Sequence, residues 1–174
     1  AFPTGEMGIV GTLETFRKRG LVRVQADYFK QRLGEHGCLL SIIQGIPYFY
    51  RQFGYEYTLP LESCLRLETR DAPPPPSEPF TFRLATLDDV PMLMRLYDEA
   101  AQDLELRTAR SQDIWRYLFV HAVGGETEAE TWLIQEGGGR VAGYMRLPKF
   151  HFYTKLTVSE VSRLSFDAAM AALH

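Results

Sequence analysis

The amino-acid sequence predicts a mixed α/β (α+β) fold, in which a mixed sheet is flanked by helices and a proline-rich linker divides the chain. Segments of strand length alternate with segments of helical periodicity on both sides of residues 71–79. The linker, Asp71–Pro79, contains four consecutive prolines, which cannot donate hydrogen bonds and favour extended backbone. Hydrophobic residues make up 45% of the 174 residues and charged residues 24%, as is typical of globular domains. We therefore expect two domain parts, 1–70 and 80–174.

The first part has the pattern strand, turn, helix, strand. Met7–Thr12 is a short apolar strand candidate that runs into a polar turn. Leu21–His36 predicts a helix, and Gly37 supplies its C-terminal stop. Cys38–Gln44 is an uninterrupted apolar run, which predicts a strand buried on both faces. The elements expected after Gly45 are two helical turns at Ile46–Phe53 and strands at Tyr55–Leu61 and Ser63–Thr69.

The second part opens with a strand at Phe80–Leu84. Thr86 and Asp89 form a capping-box pattern, which predicts that a helix starts near Val90. Ser111 is positioned to cap a further helix. The expected elements of this part are helices at Val90–Ala101 and Gln112–Val123, a hairpin of Thr131–Gln135 and Arg140–Leu147 around Gly137–Gly139, a strand through Phe152–Val158, and a terminal helix.

Composition and charge exclude several function classes. The net charge of −3 does not imply a surface for nucleic acid or an anionic membrane, although local basic clusters can still matter. We find no signal peptide and no apolar run of about 18 residues, so we expect no membrane span. Cys38 and Cys64 are too few for a disulfide framework, which favours a reducing, cytoplasmic location. The histidines form no metal-ligand pattern, so we expect no metal site. The start at Ala1 and the short terminal helix Phe166–His174 predict a fragment of a longer chain.

A basic loop precedes the first predicted helix. Within Val10–Arg23, a predicted strand ends and Arg17, Lys18, Arg19 and Gly20 follow. The first turn of a helix has unpaired N–H groups and a partial positive charge, so it suits a pyrophosphate. Gly20 allows the backbone to approach the phosphates closely. A solvated basic surface is the alternative interpretation of this segment taken alone.

A second motif, Pro47–Tyr55, follows one helix and one strand later. Together the two segments resemble the GNAT superfamily of N-acetyltransferases. Its R-x-x-G-x-G/A loop corresponds to Arg17–Val22, and its Tyr-x-x-x-Gly-Phe/Tyr motif to Tyr50–Tyr55. The match departs from the family at Val22, where the family prefers Gly or Ala.

Within this superfamily, the chain most resembles the tandem-GNAT, Eis-like (enhanced intracellular survival) acetyltransferases. These carry an Arg-rich loop that ends in Arg-Gly-Leu, as at Arg19–Leu21, and a segment like Tyr50–Tyr55. Their second GNAT unit is degenerate, and 80–90 resembles its opening strand and first helix. The resemblance implies that 1–70 is the later half of one GNAT unit and that 80–174 is the earlier half of a second unit that binds no cofactor.

The resemblance also implies a mechanism that uses acetyl-CoA as cosubstrate and a small-molecule amine as acceptor. The amine attacks the acetyl thioester directly, Tyr50 protonates the leaving CoA thiolate, and the far C-terminus of the longer chain supplies the base. Val10 and Thr12 would bind the pantetheine arm through their backbone, while the basic loop would face the pyrophosphate. The implied cofactor-binding residues are Val10, Thr12, Arg17, Lys18, Arg19, Gly20, Leu21, Val22 and Arg23.

Two alternatives stay open. Tyr50 lies in a segment rich in aromatic residues, so it can equally be a packed aromatic without a catalytic role. The whole chain can also be a GNAT-like domain that binds or assembles without catalysis, because no general base is visible in it. The Eis-like branch includes hexamers, so the resemblance further implies a homo-oligomer.

Overall fold

Strands and helices occur in both parts of the chain, which confirms the predicted mixed α/β (α+β) class. The computed structural model describes residues 1–58, 66–77, 79–149 and 156–174. The chain divides into two units, Ala1–Arg66 and Leu67–His174. Each unit has its own sheet, so the two are described in turn.

The first unit is built on two parallel strands joined by a helix. Strand β1 is Thr4–Glu6, helix α1 is Leu21–Glu35 and strand β2 is Leu40–Ile42. The strands pair in parallel, with Gly5 opposite Ser41. A parallel pair requires a crossover connection, and α1 supplies it.

Helix α1 ends where the sequence predicts. The N–H groups of Gly37 and Cys38 donate to the carbonyls of Gly34 and Leu33, at 3.1 and 2.9 Å. This is the Schellman pattern, in which a residue with positive φ reverses the chain. Gly37 has φ 63°, a conformation that is cheap only for glycine.

Helix α1 covers one face of the two-stranded sheet and leaves the other face open. Gly5 faces the helix so closely that a Cβ atom there would lie 2.2 Å from Leu33 Cδ2. On the opposite face, Leu40 is 46% exposed and Ile42 is 44% exposed. The prediction of a Cys38–Gln44 strand buried on both faces is therefore wrong, because only three residues form the strand and the described part of this unit covers one face.

The predicted strand at Met7–Thr12 is also wrong. The strand lies earlier, at Thr4–Glu6, and residues 7–13 adopt no regular structure. Ile9 has φ 53°, which interrupts the extended backbone. Such a positive φ is rare for a β-branched residue. The predicted helical turns at Ile46–Phe53 are a shorter 3-10 turn at Phe49–Phe53.

The later strands predicted for this unit are only partly covered by the structure. Residues 55–58 and 66–68 form no strand, and the rest of Tyr55–Leu61 and Ser63–Thr69 falls mainly outside the described residues. A 3-10 turn covers Thr69–Asp71. Cys38 is half-buried and free, whereas Cys64 lies outside the described residues.

The second unit contains a four-stranded antiparallel sheet with flanking helices. Its strand order is β3-β4-β5-β6, with every pair antiparallel. Its elements are β3 (Phe80–Leu84), α2 (Val90–Ala101), α3 (Gln112–Val120), β4 (Ala129–Glu136), β5 (Val141–Pro148), β6 (Glu160–Val161) and α4 (Phe166–Leu173).

Most predicted elements of this unit are confirmed. Strand β3 and helix α2 have the predicted bounds, and the β4–β5 hairpin turns at Gly137–Gly139. The Ser111 hydroxyl caps α3 by accepting the Ile114 N–H at 3.3 Å, but this helix ends at Val120 rather than Val123. The predicted strand through Phe152–Val158 lies largely outside the described residues, and β6 follows it.

The core of the second unit forms where α2 and α3 pack against the sheet. Trp115 from α3 is fully buried and meets the Tyr144 ring edge-on, with ring centres 5.9 Å apart. The core residues are Val90, Leu93, Leu96, Trp115, Leu133 and Tyr144. Their spacing on α2 follows the helical period, as a single buried face requires.

Candidate functional site

The loop between β1 and α1 carries the basic residues that the sequence singles out. A 3-10 turn at Glu14–Phe16 is closed by the Arg17 N–H, which donates to the Glu14 carbonyl at 3.1 Å. The chain then reaches α1 through Lys18 and Gly20, which have φ 62° and 73°. A left-handed conformation is unfavourable for lysine, so this loop holds local backbone strain.

Five successive backbone N–H groups in this loop, Lys18 to Val22, have no acceptor in the part of the chain that the structure describes. The bonding of the helix begins after them, when the N–H groups of Arg23 and Val24 donate to the Gly20 carbonyl at 3.0 and 3.2 Å. Unpaired N–H groups at a helix N-terminus, together with the helix dipole, attract anions. The backbone of this loop can therefore bind phosphate oxygens.

Four cationic side chains belong to the same segment: Arg17, Lys18, Arg19 and Arg23. All four residues are exposed, and none forms an ion pair with a carboxylate of the described residues. The Arg19 guanidinium lies 5.1 Å from the centre of the Phe16 ring, within the range of a cation–π contact. Their charge is therefore available to an anionic ligand.

Arg23 connects this loop to the aromatic segment that holds Tyr50. Its Nη2 atom donates to Gln52 Oε1 at 3.2 Å, and its guanidinium lies 5.4 Å from the centre of the Phe53 ring. Phe53 is 6% exposed and forms the buried anchor of the segment. The structure thus brings together the two motifs found in the sequence. Both partners of Arg23 lie within the Tyr50–Tyr55 motif, but no sequence signal predicts that Arg23 contacts them.

Tyr50 is half-buried among other aromatic rings. Phe49 meets it at 5.1 Å between ring centres, and Tyr55 at 6.3 Å, both edge-on. The Tyr50 hydroxyl forms no hydrogen bond within the described residues, so it is free to donate to a ligand. Tyr50 therefore has the aromatic packing of a core residue. It also has a hydroxyl that is available for proton transfer.

Val10 and Thr12 are half-buried, but they do not lie on a strand. The parallel ladder of β1 and β2 ends at Glu6 opposite Ile42, before either residue is reached. The expectation that a strand presents their backbone to a ligand is therefore corrected. Their N–H and carbonyl groups belong to the irregular segment that leads into the basic loop.

The second unit contains a separate charged cluster that sequence reasoning missed. Glu160 on β6 accepts two hydrogen bonds from Arg110, at 2.8 and 2.9 Å, and one from the Tyr144 hydroxyl. The Arg110 guanidinium lies over the rings of Tyr97 and Trp115, at 4.2 and 4.6 Å from their centres. Since 50 positions separate Arg110 from Glu160, no local pattern announces the pair.

Burial and charge shift the pKa values in this cluster. Burial opposes ionisation of Glu160, but the hydrogen bonds from Arg110 and Tyr144 and the charges of Arg110 and Arg146 outweigh it, so its pKa is lowered. Burial and the bond to Glu160 raise the pKa of Tyr144. Burial lowers the pKa of Arg146, whose Nε atom has no partner among the described residues. Glu160 on β6 is thus bonded to Arg110 and to Tyr144 on β5, which indicates a role in holding the fold.

The described ranges contain neither a metal-type cluster nor a membrane-spanning helix. No group of three or more His, Cys, Asp or Glu side chains there is arranged to hold a metal ion. No helix in the same ranges combines the length and the apolar character needed to cross a membrane.

Comparisons with known proteins concern the fold. No protein-family model matches this chain, and no curated protein matches it. A solved structure from Enterococcus faecalis V583, a conserved protein of unknown function described as a probable N-acyltransferase, superposes with a TM-score of 0.71 at 19% identity. The match covers 99% of this chain and 43% of that one. Eis1 from Mycobacterium abscessus superposes with a TM-score of 0.53 at 20% identity over 98% of this chain and 44% of its own.

At these identities the likeness establishes the fold. The chain has the mixed α+β architecture of these two acyltransferase-like structures, with an antiparallel sheet of four strands and flanking helices in its second unit. It spans less than half the length of either structure. The expected mixed α/β (α+β) class is thus supported by its structural neighbours.

Proposed function

We propose that the chain carries the acetyl-CoA-binding part of an N-acetyltransferase that transfers acetyl to a primary amine of a small molecule. The observation that carries this proposal is the run of N–H groups from Lys18 to Val22 that have no acceptor among the described residues, in a segment whose four cations have no carboxylate partner there. A pyrophosphate needs both kinds of partner, because its oxygens accept several hydrogen bonds and carry negative charge. The fold shared with a probable N-acyltransferase and with Eis1 supports the same assignment.

Each implied residue has a defined task in this proposal. Arg17, Lys18, Arg19 and Arg23 supply charge to the pyrophosphate, and the N–H groups of 18–22, including those of Leu21 and Val22, supply hydrogen bonds. Gly20 gives the phosphates close access to the backbone. Val10 and Thr12 bind the pantetheine arm through backbone groups of their irregular segment.

The transfer step needs one proton donor on the enzyme. The amine nitrogen attacks the acetyl carbonyl carbon, so that a C–N bond forms while the C–S bond to CoA breaks. Tyr50 gives its hydroxyl proton to the departing thiolate sulfur and recovers a proton from water. The surplus proton of the amine passes to a base, a role that the C-terminus of the longer chain fills in the Eis-like branch.

The two halves of the chain belong to two different GNAT units. Residues 1–70 are the later half of one GNAT unit, residues 71–79 are a linker, and residues 80–174 are the earlier half of a degenerate unit that takes no cofactor. Small-molecule amines are the partners, with no role for nucleic acid or membrane, and the chain forms a homo-oligomer in a cytoplasmic setting.

Thiol release in the presence of a panel of primary amines and polyamines tests the enzyme function. We expect acetyl transfer to at least one amine, with Tyr50→Phe lowering kcat by roughly 100-fold, since a general acid contributes about that much. Tyr28→Phe, which alters an exposed tyrosine on α1, is the matched control and should leave kcat unchanged. Full turnover by Tyr50→Phe would remove Tyr50 from the mechanism.

A second candidate is a GNAT-like domain that binds or assembles without catalysis. The open apolar face of β2, with Leu40 and Ile42 almost half exposed, favours it, because such surfaces often bind other proteins. Binding of acetyl-CoA without acetyl transfer to any amine would select this candidate.

A further inference from the structure

The position of the Tyr50 ring is determined by a glycine on one side. A Cβ atom added at Gly45 would lie 2.1 Å from Tyr50 Cε2 and 2.4 Å from Cδ2. These distances are far below van der Waals contact, so any side chain at this position must displace the ring. The backbone φ of Gly45 is not positive, so it is the ring that requires glycine here.

Tyr55 bounds the same ring from another direction. Its ring centre lies 6.3 Å from that of Tyr50, edge-on, and its N–H donates to the Tyr50 carbonyl at 3.4 Å. The Tyr55 hydroxyl is hydrogen-bonded to Ser41 Oγ at 2.6 Å. Ser41 lies in the middle of β2, so this bond attaches Tyr55 to the most regular part of the unit.

Two further aromatic rings of the same segment border the Tyr50 ring. Phe49 and Phe53 lie 5.1 and 6.4 Å from the Tyr50 ring, between centres. A ring pushed by a Cβ at Gly45 must therefore shift relative to these neighbouring rings. Its hydroxyl must then move from the position that the native packing defines.

We propose that Gly45 and Tyr55 are positioning residues for Tyr50, holding its ring so that the hydroxyl is aimed at the leaving thiolate. The packing stands on the contacts alone, whereas the catalytic consequence rests on the proposed acetyl transfer. The contacts with Gly45 and Tyr55 orient the Tyr50 ring, and the oriented hydroxyl then delivers its proton to the thiolate. Neither residue touches the reacting atoms in this account.

The test compares Gly45→Ala with Gly34→Ala, a control because a Cβ at Gly34 meets nothing within 4 Å. We expect Gly45→Ala to lower kcat about tenfold or more, since misplacing a general acid forfeits much of its contribution, while the KM for acetyl-CoA stays within twofold. Tyr55→Phe keeps the ring but loses the Ser41 bond, so it should lower kcat several-fold with KM again unchanged. Unchanged kcat in both variants would overturn the proposal.

A double variant separates positioning from general damage. In a Tyr50→Phe background, Gly45→Ala should cause no further loss of kcat, because the group that it misplaces is already absent. An equal loss in both backgrounds would show that Gly45 acts by another route and would overturn the proposal.

Thermal unfolding tests the contact without any activity. Gly45→Ala should lower Tm in the native background and leave it unchanged in Tyr50→Ala, where the ring is gone. If no amine is acetylated, the proposed function fails and the positioning role fails with it. A Tm effect that persists in Tyr50→Ala would instead refute the packing argument while the proposed function stood.

Discussion

The Arg83 guanidinium holds both carboxylate oxygens of Asp89, with Nη1 at 2.8 Å from Oδ2 and Nη2 at 2.7 Å from Oδ1. The same carboxylate accepts the Thr86 N–H at 2.8 Å, so it closes the capping box of the 3-10 turn Leu87–Asp89 that leads into α2. The Asp89 side chain is 9% exposed, and its bonds to Arg83 lower its pKa to about 2. One ion pair thus joins the end of β3 to the start of α2.

This pair predicts a specific loss of stability in acid. The pKa of Asp89 is depressed in the folded state, so its stabilisation is complete above about pH 4 and is lost as the pH falls toward 2. The shift corresponds to about 2 kcal/mol of unfolding free energy. Urea unfolding between pH 5 and 2 should show this loss of unfolding free energy in the native chain and not in Asp89→Asn. Asp88→Asn, an exposed neighbour, is the control, and an equal pH dependence in Asp89→Asn would contradict the assignment.

Glu160→Gln should destabilise the second unit strongly. The substitution leaves Arg110 and Arg146 buried without a counter-charge, with side chains 13% and 8% exposed. Breaking a buried pair in this way costs about 3–5 kcal/mol. Glu136→Gln, which breaks the surface pair with Arg140, should cost less than about 1 kcal/mol. Similar losses in the two variants by urea denaturation would refute the structural role of the cluster.

Lys18 should show opposite effects on stability and binding. Its φ of 62° is unfavourable for a residue with a Cβ, so Lys18→Gly should raise the unfolding free energy by about 1 kcal/mol relative to Lys18→Ala. Both variants lose the same charge, so both should bind acetyl-CoA more weakly than the native chain. Denaturant unfolding and calorimetry measure the two effects separately. A glycine variant no more stable than the alanine variant would show that the loop is not strained.

Local sequence signals predicted the elements whose ends are set by nearby residues. Gly37 stops α1 through its own backbone conformation, and the Thr86–Asp89 box starts the segment that becomes α2. The hairpin around Gly137–Gly139 is similarly local. In each case the residues that decide the boundary lie within a few positions of it.

Features that depend on residues far away in the sequence could not be predicted from local patterns. The apolar run Cys38–Gln44 has the composition of a strand buried on both faces. Burial depends on what covers the sheet, however, and α1 covers only one face. The Met7–Thr12 strand failed because pairing with β2 selected Thr4–Glu6 instead. The Arg110–Glu160 pair joins residues 50 positions apart, beyond the reach of any periodicity.

The two motifs of the candidate site could be predicted from the sequence, but the contacts between their residues could not. The basic loop and the Tyr50 segment could both be recognised from residue types and spacing. The bond from Arg23 to Gln52 depends on how the chain returns past α1, and the contact of Gly45 with Tyr50 depends on the conformation of the irregular loop that joins them.

Calorimetric titration with acetyl-CoA tests the central claim most directly. Arg17→Gln combined with Lys18→Gln removes two charges from the basic loop. Lys30→Gln combined with Arg116→Gln removes two exposed charges elsewhere and serves as the matched control. We expect the native and control chains to bind with a Kd well below 1 mM, and the loop variant to bind at least about tenfold more weakly, as losing charge-assisted bonds to phosphate implies. Equal affinity of the loop and control variants, or no binding by the native chain below millimolar concentrations, would contradict the account.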